Sequence, residues 1–265
     1  MDILKVPVQE TPNQQTLLLL KSMRLLEMQL AQMKHDMSYL MWQVHRNHGA
    51  ASISAPERMK IRDEVCAYIE TLKDFNPEVI YGGHESREGL LEFILTERLV
   101  GVEADSIALE FGVFKGKSLS IISRLFSGKV YGFDSFEGIP TTELIWDKGR
   151  FNNPQGIAYP LKPNTELVKG WFKDTMPDFV KAHDLSKVKL LHMDCDIYSS
   201  AKEIFEVVGP HLPKDVIIVF DEYWNYKGWK DGEFKAFHEF LAATGRTYTY
   251  LGYMDAGNQV AVKLH

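Results

Sequence analysis

The sequence predicts an α/β fold: a mostly parallel sheet completed by an antiparallel C-terminal hairpin, with a helical extension in front of it. Three observations carry this expectation. From Ser106 onward, near-continuous apolar runs alternate with helical or loop stretches, the pattern of a parallel sheet covered on both faces. The last two runs, "YTYLGY" and "NQVAVKL", flank Asp255-Ala256-Gly257 and read as a hairpin. Before Ser106 the apolar residues follow helical spacing instead.

Taken in order, residues 1–48 predict one long helix. Thr11-Pro12 is a start signal, and Leu19, Met23, Leu26, Leu30, Met33, Met37, Leu40 and Val44 alternate steps of four and three, a heptad seam suited to self-association. The same seam can instead lie along its own domain. Asn47-His48-Gly49 ends it, with Gly49 placed as a C′ residue. Residues 49–104 form a helical preface, with helices expected over about Pro56 to Asp74 and Ser86 to Val100. Between them Asn76-Pro77 and Tyr81-Gly82-Gly83-His84 are turn-rich, a plain connector or a hinge over a site. Residues 105–265 carry the α/β domain, with strands in "IALEFGV", "KVYGFD", "VKLLHMD" and "DVIIVFD".

Composition narrows the function. At 265 residues, 45% hydrophobic and 25% charged, the chain has enough apolar material for a buried core. A formal charge of -6 disfavours a nucleic-acid partner, which needs a broad basic face; a small-molecule acceptor fits better. The two cysteines, Cys66 and Cys195, are far apart in sequence, so neither a disulfide framework nor a cysteine metal knuckle is indicated, and a reducing, cytoplasmic setting is expected. No apolar stretch reaches the roughly 18 residues of a membrane span, and no secretory leader pattern precedes the domain.

In such sheets ligands sit beyond the carboxyl ends of the strands. The first end reads Glu110-Phe111-Gly112-Val113-Phe114-Lys115-Gly116 and runs into a helix at Lys117-Ser118. Its glycines permit close backbone approach and the helix start offers free N–H groups, so Glu110, Gly112, Gly116 and Ser118 are candidate cofactor contacts. The form ExGxxxG departs from both the dinucleotide fingerprint and the P-loop. Asp134, about 20 residues further on and followed by Ser135, is placed to accept hydrogen bonds from a ribose, or to cap a helix. The third and fourth ends supply Asp194, Asp196, Asp221 and Glu222. Alternation puts Asp194 and Asp196 on one side and Cys195 on the other, as a core residue. Converging carboxylates repel one another unless a cation joins them, and oxygen-only donors select a hard divalent ion such as Mg²⁺. Solvated or capping acids at a sheet edge are the simpler alternative.

A parallel sheet finished by an antiparallel edge hairpin is the Rossmann-like architecture of class I methyltransferases. Within it "GFDSFEGIP", "GWFKDTMP", "MDCDIYSS" and "VFDEYW" resemble, in the same order, motifs of the macrocin O-methyltransferase family, which methylates sugar hydroxyls of macrolide antibiotics. The resemblance runs from about Ser106 to His265. It implies S-adenosylmethionine as methyl donor and a divalent cation, such as Mg²⁺, holding the acceptor hydroxyl. By motif position it implies Asp194, Asp221 and Glu222 as metal ligands, Glu110, Gly112 and Asp134 as donor contacts, and Gly170, Trp171, Phe172 and Asp174 beside the adenine end. The family usually has aspartate at the position of Glu222 and glycine at that of Cys195. Related catechol methyltransferases carry a lysine where this chain has Ile197, so Asp196 or His192 is left to take the acceptor proton, with His192 read first as a buried core histidine.

Glu137 to Asn164 is long for a connector and holds Trp146, Arg150, Phe151, Asn152, Asn153 and Tyr159; it predicts a lid over a polyhydroxylated acceptor. Tyr223, Trp224, Tyr226 and Trp229 either line that pocket or pack the following helix. Catechol-type methylation of a phenol, a non-catalytic donor-binding or scaffold module built on the heptad helix, and an NAD-dependent oxidoreductase remain as alternatives at this level.

Overall fold

The computed structural model describes Met23, Leu26 and residues 54–72, 86–254 and 257–265. The chain divides into two compact units, Met1–Ala51 and Ser52–His265. In the first, Met23 and Leu26 are helical and exposed; the rest of the heptad seam lies outside the described residues, as do Gly82-Gly83 and Asp255-Ala256. Among the described residues no helix is long and apolar enough to cross a membrane.

The second unit is built on a sheet of seven strands: β1 (Ile107–Phe111), β2 (Lys129–Asp134), β3 (Thr165–Lys169), β4 (Val188–Met193), β5 (Ile217–Phe220), β6 (Tyr248–Tyr253) and β7 (Val260–Leu264). Their order is β3-β2-β1-β4-β5-β7-β6, with β7 antiparallel to its neighbours β5 and β6 and the remaining pairs parallel. The chain reverses direction across the sheet between β1 and β4, which marks a crevice at their carboxyl ends as the place for a ligand.

Helices α1 (Ala55–Thr71), α2 (Arg87–Phe93, continued by a π turn over Ile94–Arg98), α3 (Lys117–Leu125), α4 (Phe172–Ala182), α5 (Tyr198–Val207) and α6 (Glu233–Thr244) cover the sheet. Strands β1 and β5 are buried at every position, which is why β5 reads as an unbroken apolar run and β1 as one interrupted only by Glu110. On one face Ala108, Leu190 and Val219 meet Leu90, Leu91 and Ile94 of the α2 region and Leu119 and Ile122 of α3. On the other, Leu109, Leu191 and Ile218 meet Phe179 of α4, Ile204 and Phe205 of α5 and Phe237 of α6. Helix α1 joins this second face through Ile61 and Val65, while the Tyr68 ring abuts Trp229 and Phe234 edge-on. The helical preface is therefore divided between both faces of one compact unit. Tyr223, Trp224, Tyr226 and Trp229 are buried in the core, where they pack against α6 and not on the wall of the cavity at the strand ends.

Two elements are poorly marked in the sequence. Strand β3 was not among the predicted strands: it lies at the sheet edge, Glu166 and Leu167 are exposed, and TELVK lacks the apolar run that marks its neighbours. Helix α4 contains Pro177 in its interior, a residue that ordinarily signals a helix end.

The carboxyl ends of β1 and β4 approach closely because position 112 has no side chain. Gly112 sits at φ 96°, and a Cβ there would lie 1.7 Å from the carbonyl oxygen of Asp194; the Asp194 N–H donates to Phe111 O at 2.9 Å. The glycine thus accommodates the neighbouring strand, a constraint separate from any ligand contact. Gly112→Ala is expected to destabilise the domain by on the order of 3 kcal/mol, through backbone clash and positive-φ strain, measured as a lowered midpoint in urea unfolding.

Candidate active site

The ends of β1, β2, β4 and β5 open onto a cavity of about 790 Å³, within the range of small-molecule sites. One half is bounded by Gly112, Val113 and Phe114 after β1, Asp134 and Ser135 after β2, and Gly170, Trp171 and Phe172 at the start of α4, with Ser118 of α3 beneath. The other half is bounded by Asp194, Cys195 and Asp196 after β4 and Asp221 and Glu222 after β5. Ile139, Pro140, Trp146, Phe151 and Tyr159 of the long connector close one side.

Asp134 organises the first half from within. Its Oδ2 accepts from the N–H groups of Val113 at 2.8 Å and Phe114 at 2.6 Å, and its Oδ1 from Phe136 N–H at 2.6 Å. Both phenylalanines hold positive φ, 50° and 60°, so the carboxylate fixes two unfavourable turns. A carboxylate has about four acceptor positions, and this one spends three on backbone. Ser135 Oγ accepts from Glu137 N–H at 3.1 Å.

Glu110, Gly116, Asp174 and His192 stand outside the cavity wall, and His192 is buried, as its first reading from the sequence has it. Glu110 is fully buried and pairs in register with His192 across β1 and β4. Its Oε1 accepts from Ser118 Oγ and lies 3.1 Å from His192 Nδ1. Gly116 is the left-handed N-cap of α3, and Asp174 belongs to the first turn of α4. Burial opposes a charge on His192, yet the bond to Glu110 and the nearby carboxylates of Asp194 and Asp221 outweigh it and shift its pKa upward.

The acidic half gathers charge at short range. Asp194, Asp221 and Glu222 place a carboxylate oxygen each within 4.8 Å of the others. Burial, then the neighbouring Asp221, drives Asp194 well above the usual carboxylate range, against the pull of Arg87 and His192. Glu222 moves the same way for the same two leading reasons, and its buried Oε2 has no hydrogen-bond partner among the described residues. Strand β4 ends at Met193 and Asp196 turns at φ 65°, so a turn, and not strand alternation, brings Asp196 to the cavity. This all-oxygen donor set with an unpartnered buried oxygen fits a hard divalent cation.

Two residues of the site carried no signal in the sequence. Arg87, the first residue of α2, places Nη1 2.8 Å from Asp221 Oδ2, yet in the sequence it is one cation after a serine cap. Glu233, at the start of α6, reads as an ordinary helix-start acid. It is fully buried; Oε1 accepts from Cys195 N–H at 3.2 Å and Oε2 from Glu222 N–H at 3.3 Å, so one carboxylate holds both acidic strand ends. Burial, and after the opposing Cys195 bonds the charge of Asp221, pushes Glu233 up to about 8.

This sheet order, closed by an antiparallel strand beside β5, is the class I methyltransferase fold. Residues 109–223, less than half of the chain, match the family model described as a methyltransferase domain. A curated relative from Streptomyces olivaceus, 8-demethyl-8-(2,3-dimethoxy-alpha-L-rhamnosyl)-tetracenomycin-C 4'-O-methyltransferase, is 26% identical over 46% of this chain and 54% of its own length. The match thus spans about half of that relative. In fold the chain is similar to CalS11, a calicheamicin methyltransferase (TM-score 0.53, 18% identity, 82% of this chain and 98% of that one). It is also similar to the O-methyltransferase NovP (TM-score 0.50, 19% identity, 68% of this chain and 79% of that one).

Asp134→Asn retains one acceptor oxygen and sets an amide N–H₂ against backbone N–H groups. It is expected to lose about 1–3 kcal/mol of stability and to weaken S-adenosylhomocysteine binding, checked by urea unfolding and calorimetric titration of the same sample.

Proposed function

We propose that this protein is an S-adenosylmethionine-dependent O-methyltransferase that methylates a hydroxyl of a sugar or glycosylated small molecule, with a divalent cation held at the acidic strand ends. The observation that carries the reading is the joining of the two halves of one cavity: the Gly112–Phe114 turn and the Gly170–Phe172 turn on one side, Asp194, Asp221 and Glu222 on the other. A methyl donor and a hydroxyl acceptor need such adjacency, because in-line transfer depends on alignment. The sequence resemblance to macrocin O-methyltransferases and the activity for which the Streptomyces olivaceus relative is named both favour a sugar acceptor.

The donor's sulfonium supplies an already activated methyl group. Gly112, Val113, Asp134, Ser135 and Gly170 to Phe172 would hold it, with Phe114 and Phe172 giving apolar walls. A divalent cation supplies a lowered pKa at a hydroxyl bound to it, and Asp194, Asp221 and Glu222 would hold that cation. Asp196 lines the same space and receives the acceptor proton at a carboxylate oxygen; His192, behind the wall, stabilises negative charge from the rear. The position of a catechol-type lysine is filled by Ile197, which is fully buried.

The connector over Glu137 to Asn164 serves as the acceptor wall. It is pinned by Asn153 Nδ2, which donates to Phe114 O at 2.6 Å, and by Glu143, whose Oε1 accepts from Ser199 N–H at 3.2 Å. The Arg150 guanidinium lies 5.0 Å from the Trp146 ring centre and 5.2 Å from that of Phe151, giving an aromatic and hydrogen-bonding surface for a sugar ring.

Calorimetric titration of S-adenosylmethionine and then Mg²⁺ into wild type and Asp194→Ala, at equal ionic strength, tests the reading. Both proteins are expected to bind the donor and only wild type the ion, with methyl transfer to a glycoside acceptor abolished by chelator; donor binding by neither protein refutes the assignment. Trp146→Ala is expected to raise the acceptor KM about five-fold, from loss of roughly 1 kcal/mol of ring contact, while the donor Kd stays unchanged. A KM equal to wild type removes the connector from the acceptor site.

A further inference from the structure

Arg87 occupies the approach to the acidic cluster. Its Nη1 is 2.8 Å from Asp221 Oδ2 and 3.7 Å from Asp194 Oδ2, two of the three carboxylates gathered at the ends of β4 and β5. The two partners differ in freedom: the Asp221 side chain is 6% exposed, whereas that of Arg87 is 41% exposed and borders the cavity. The carboxylate is fixed and the guanidinium has open space to move into. A second resting place adjoins it, since Arg87 Nε lies 3.6 Å from Glu88 Oε1, itself held by Lys117 Nζ at 2.6 Å.

A divalent ion on these carboxylates would sit about 2.0–2.6 Å from their oxygens, and the guanidinium already lies against the same atoms. A unit charge and a double charge at that separation repel strongly wherever water is partly excluded. The cluster therefore accepts one cation or the other. Without either, buried carboxylates face one another with Glu222 Oε2 unpartnered among the described residues, a costly arrangement.

We propose that Arg87 is an intramolecular counter-cation that holds the acidic cluster in the metal-free protein and is displaced by the divalent ion, so that this side chain sets the ion's affinity. The inference rests on the divalent-cation reading above. Competition of this kind lowers the apparent affinity by the fraction of molecules whose site the arginine has left. It also keeps the strand ends in place before the ion arrives, so that binding is an exchange of cations with little rearrangement of the backbone.

The test uses the full chain saturated with S-adenosylhomocysteine, as wild type, Arg87→Met and Arg87→Lys, titrated calorimetrically with MgCl₂ and melted thermally in chelator and in saturating Mg²⁺. Arg87→Met is expected to bind Mg²⁺ roughly ten-fold more tightly than wild type, with Arg87→Lys between them. In chelator its melting temperature falls below wild type, and in saturating Mg²⁺ that deficit closes or reverses. Equal or weaker Mg²⁺ binding by Arg87→Met overturns the proposal, as does a melting deficit that Mg²⁺ leaves unchanged. Should Arg87→Met not fold, Arg87→Gln replaces it under the same criteria. If wild type binds S-adenosylhomocysteine but no Mg²⁺, the cation reading itself fails, a result distinct from wild-type binding that Arg87 does not influence.

Discussion

The carboxylates at the ends of β4 and β5 constrain the rest of the site. Burying several acids so close together is unfavourable unless opposite charge and hydrogen bonds compensate them, and the surrounding structure supplies both. Arg87 approaches from the cavity. His192 lies behind, in register with Val219 of β5 on one side and Glu110 of β1 on the other. Glu233 accepts the N–H groups of Cys195 and Glu222 and so ties the two acidic turns together. Each comes from a different element, α2, β4 and α6, and each reaches the cluster only because the parallel sheet aligns its carboxyl ends.

The half of the cavity bounded by Gly112, Asp134 and Gly170 is coupled to the acidic half through backbone. The contact that forbids a side chain at Gly112 is with the Asp194 carbonyl, so the turn after β1 and the first acidic residue after β4 are positioned by one close approach. Asp134 then carries the constraint across to β2: its carboxylate binds the turn that follows Gly112, and its carbonyl accepts from Gly170 N–H at 3.0 Å. A shift at any of these points moves the others, because hydrogen bonds and close contacts leave little slack in a packed interior.

Much of this was legible in the residues, for a physical reason. Strands buried on both faces are mostly apolar, so β1, β4 and β5 stand out as near-continuous apolar runs, and acids ending such runs are conspicuous because burial disfavours them. What the sequence concealed were features whose meaning depends on a partner far along the chain. Arg87 meets Asp221 across 134 residues and Glu233 meets Cys195 across 38; neither spacing has a local signature. Glu110 has the composition of a ligand contact, a strand-end acid beside a glycine turn, and its place opposite His192 in the interior is set by a register the sequence does not display. The aromatic group from Tyr223 to Trp229 was ambiguous for the complementary reason, since core and pocket walls use the same side chains.

The division between legible and hidden residues follows the division of labour in the site. Groups facing the cavity, such as Asp194, Asp196, Asp221 and Glu222, are strand-end polar residues and stand out against the apolar runs that precede them. Groups that place them lie one layer back or on other helices and look like ordinary caps or surface charges. Glu233 is the clearest case: its acceptor oxygens hold backbone N–H groups, so any sequence that keeps Cys195 and Glu222 in these turns needs an acceptor there, whatever side chains those two positions carry. The geometry of the acidic turns is thus set by a residue outside the cavity, and the identities of the cavity residues can vary on a frame that does not.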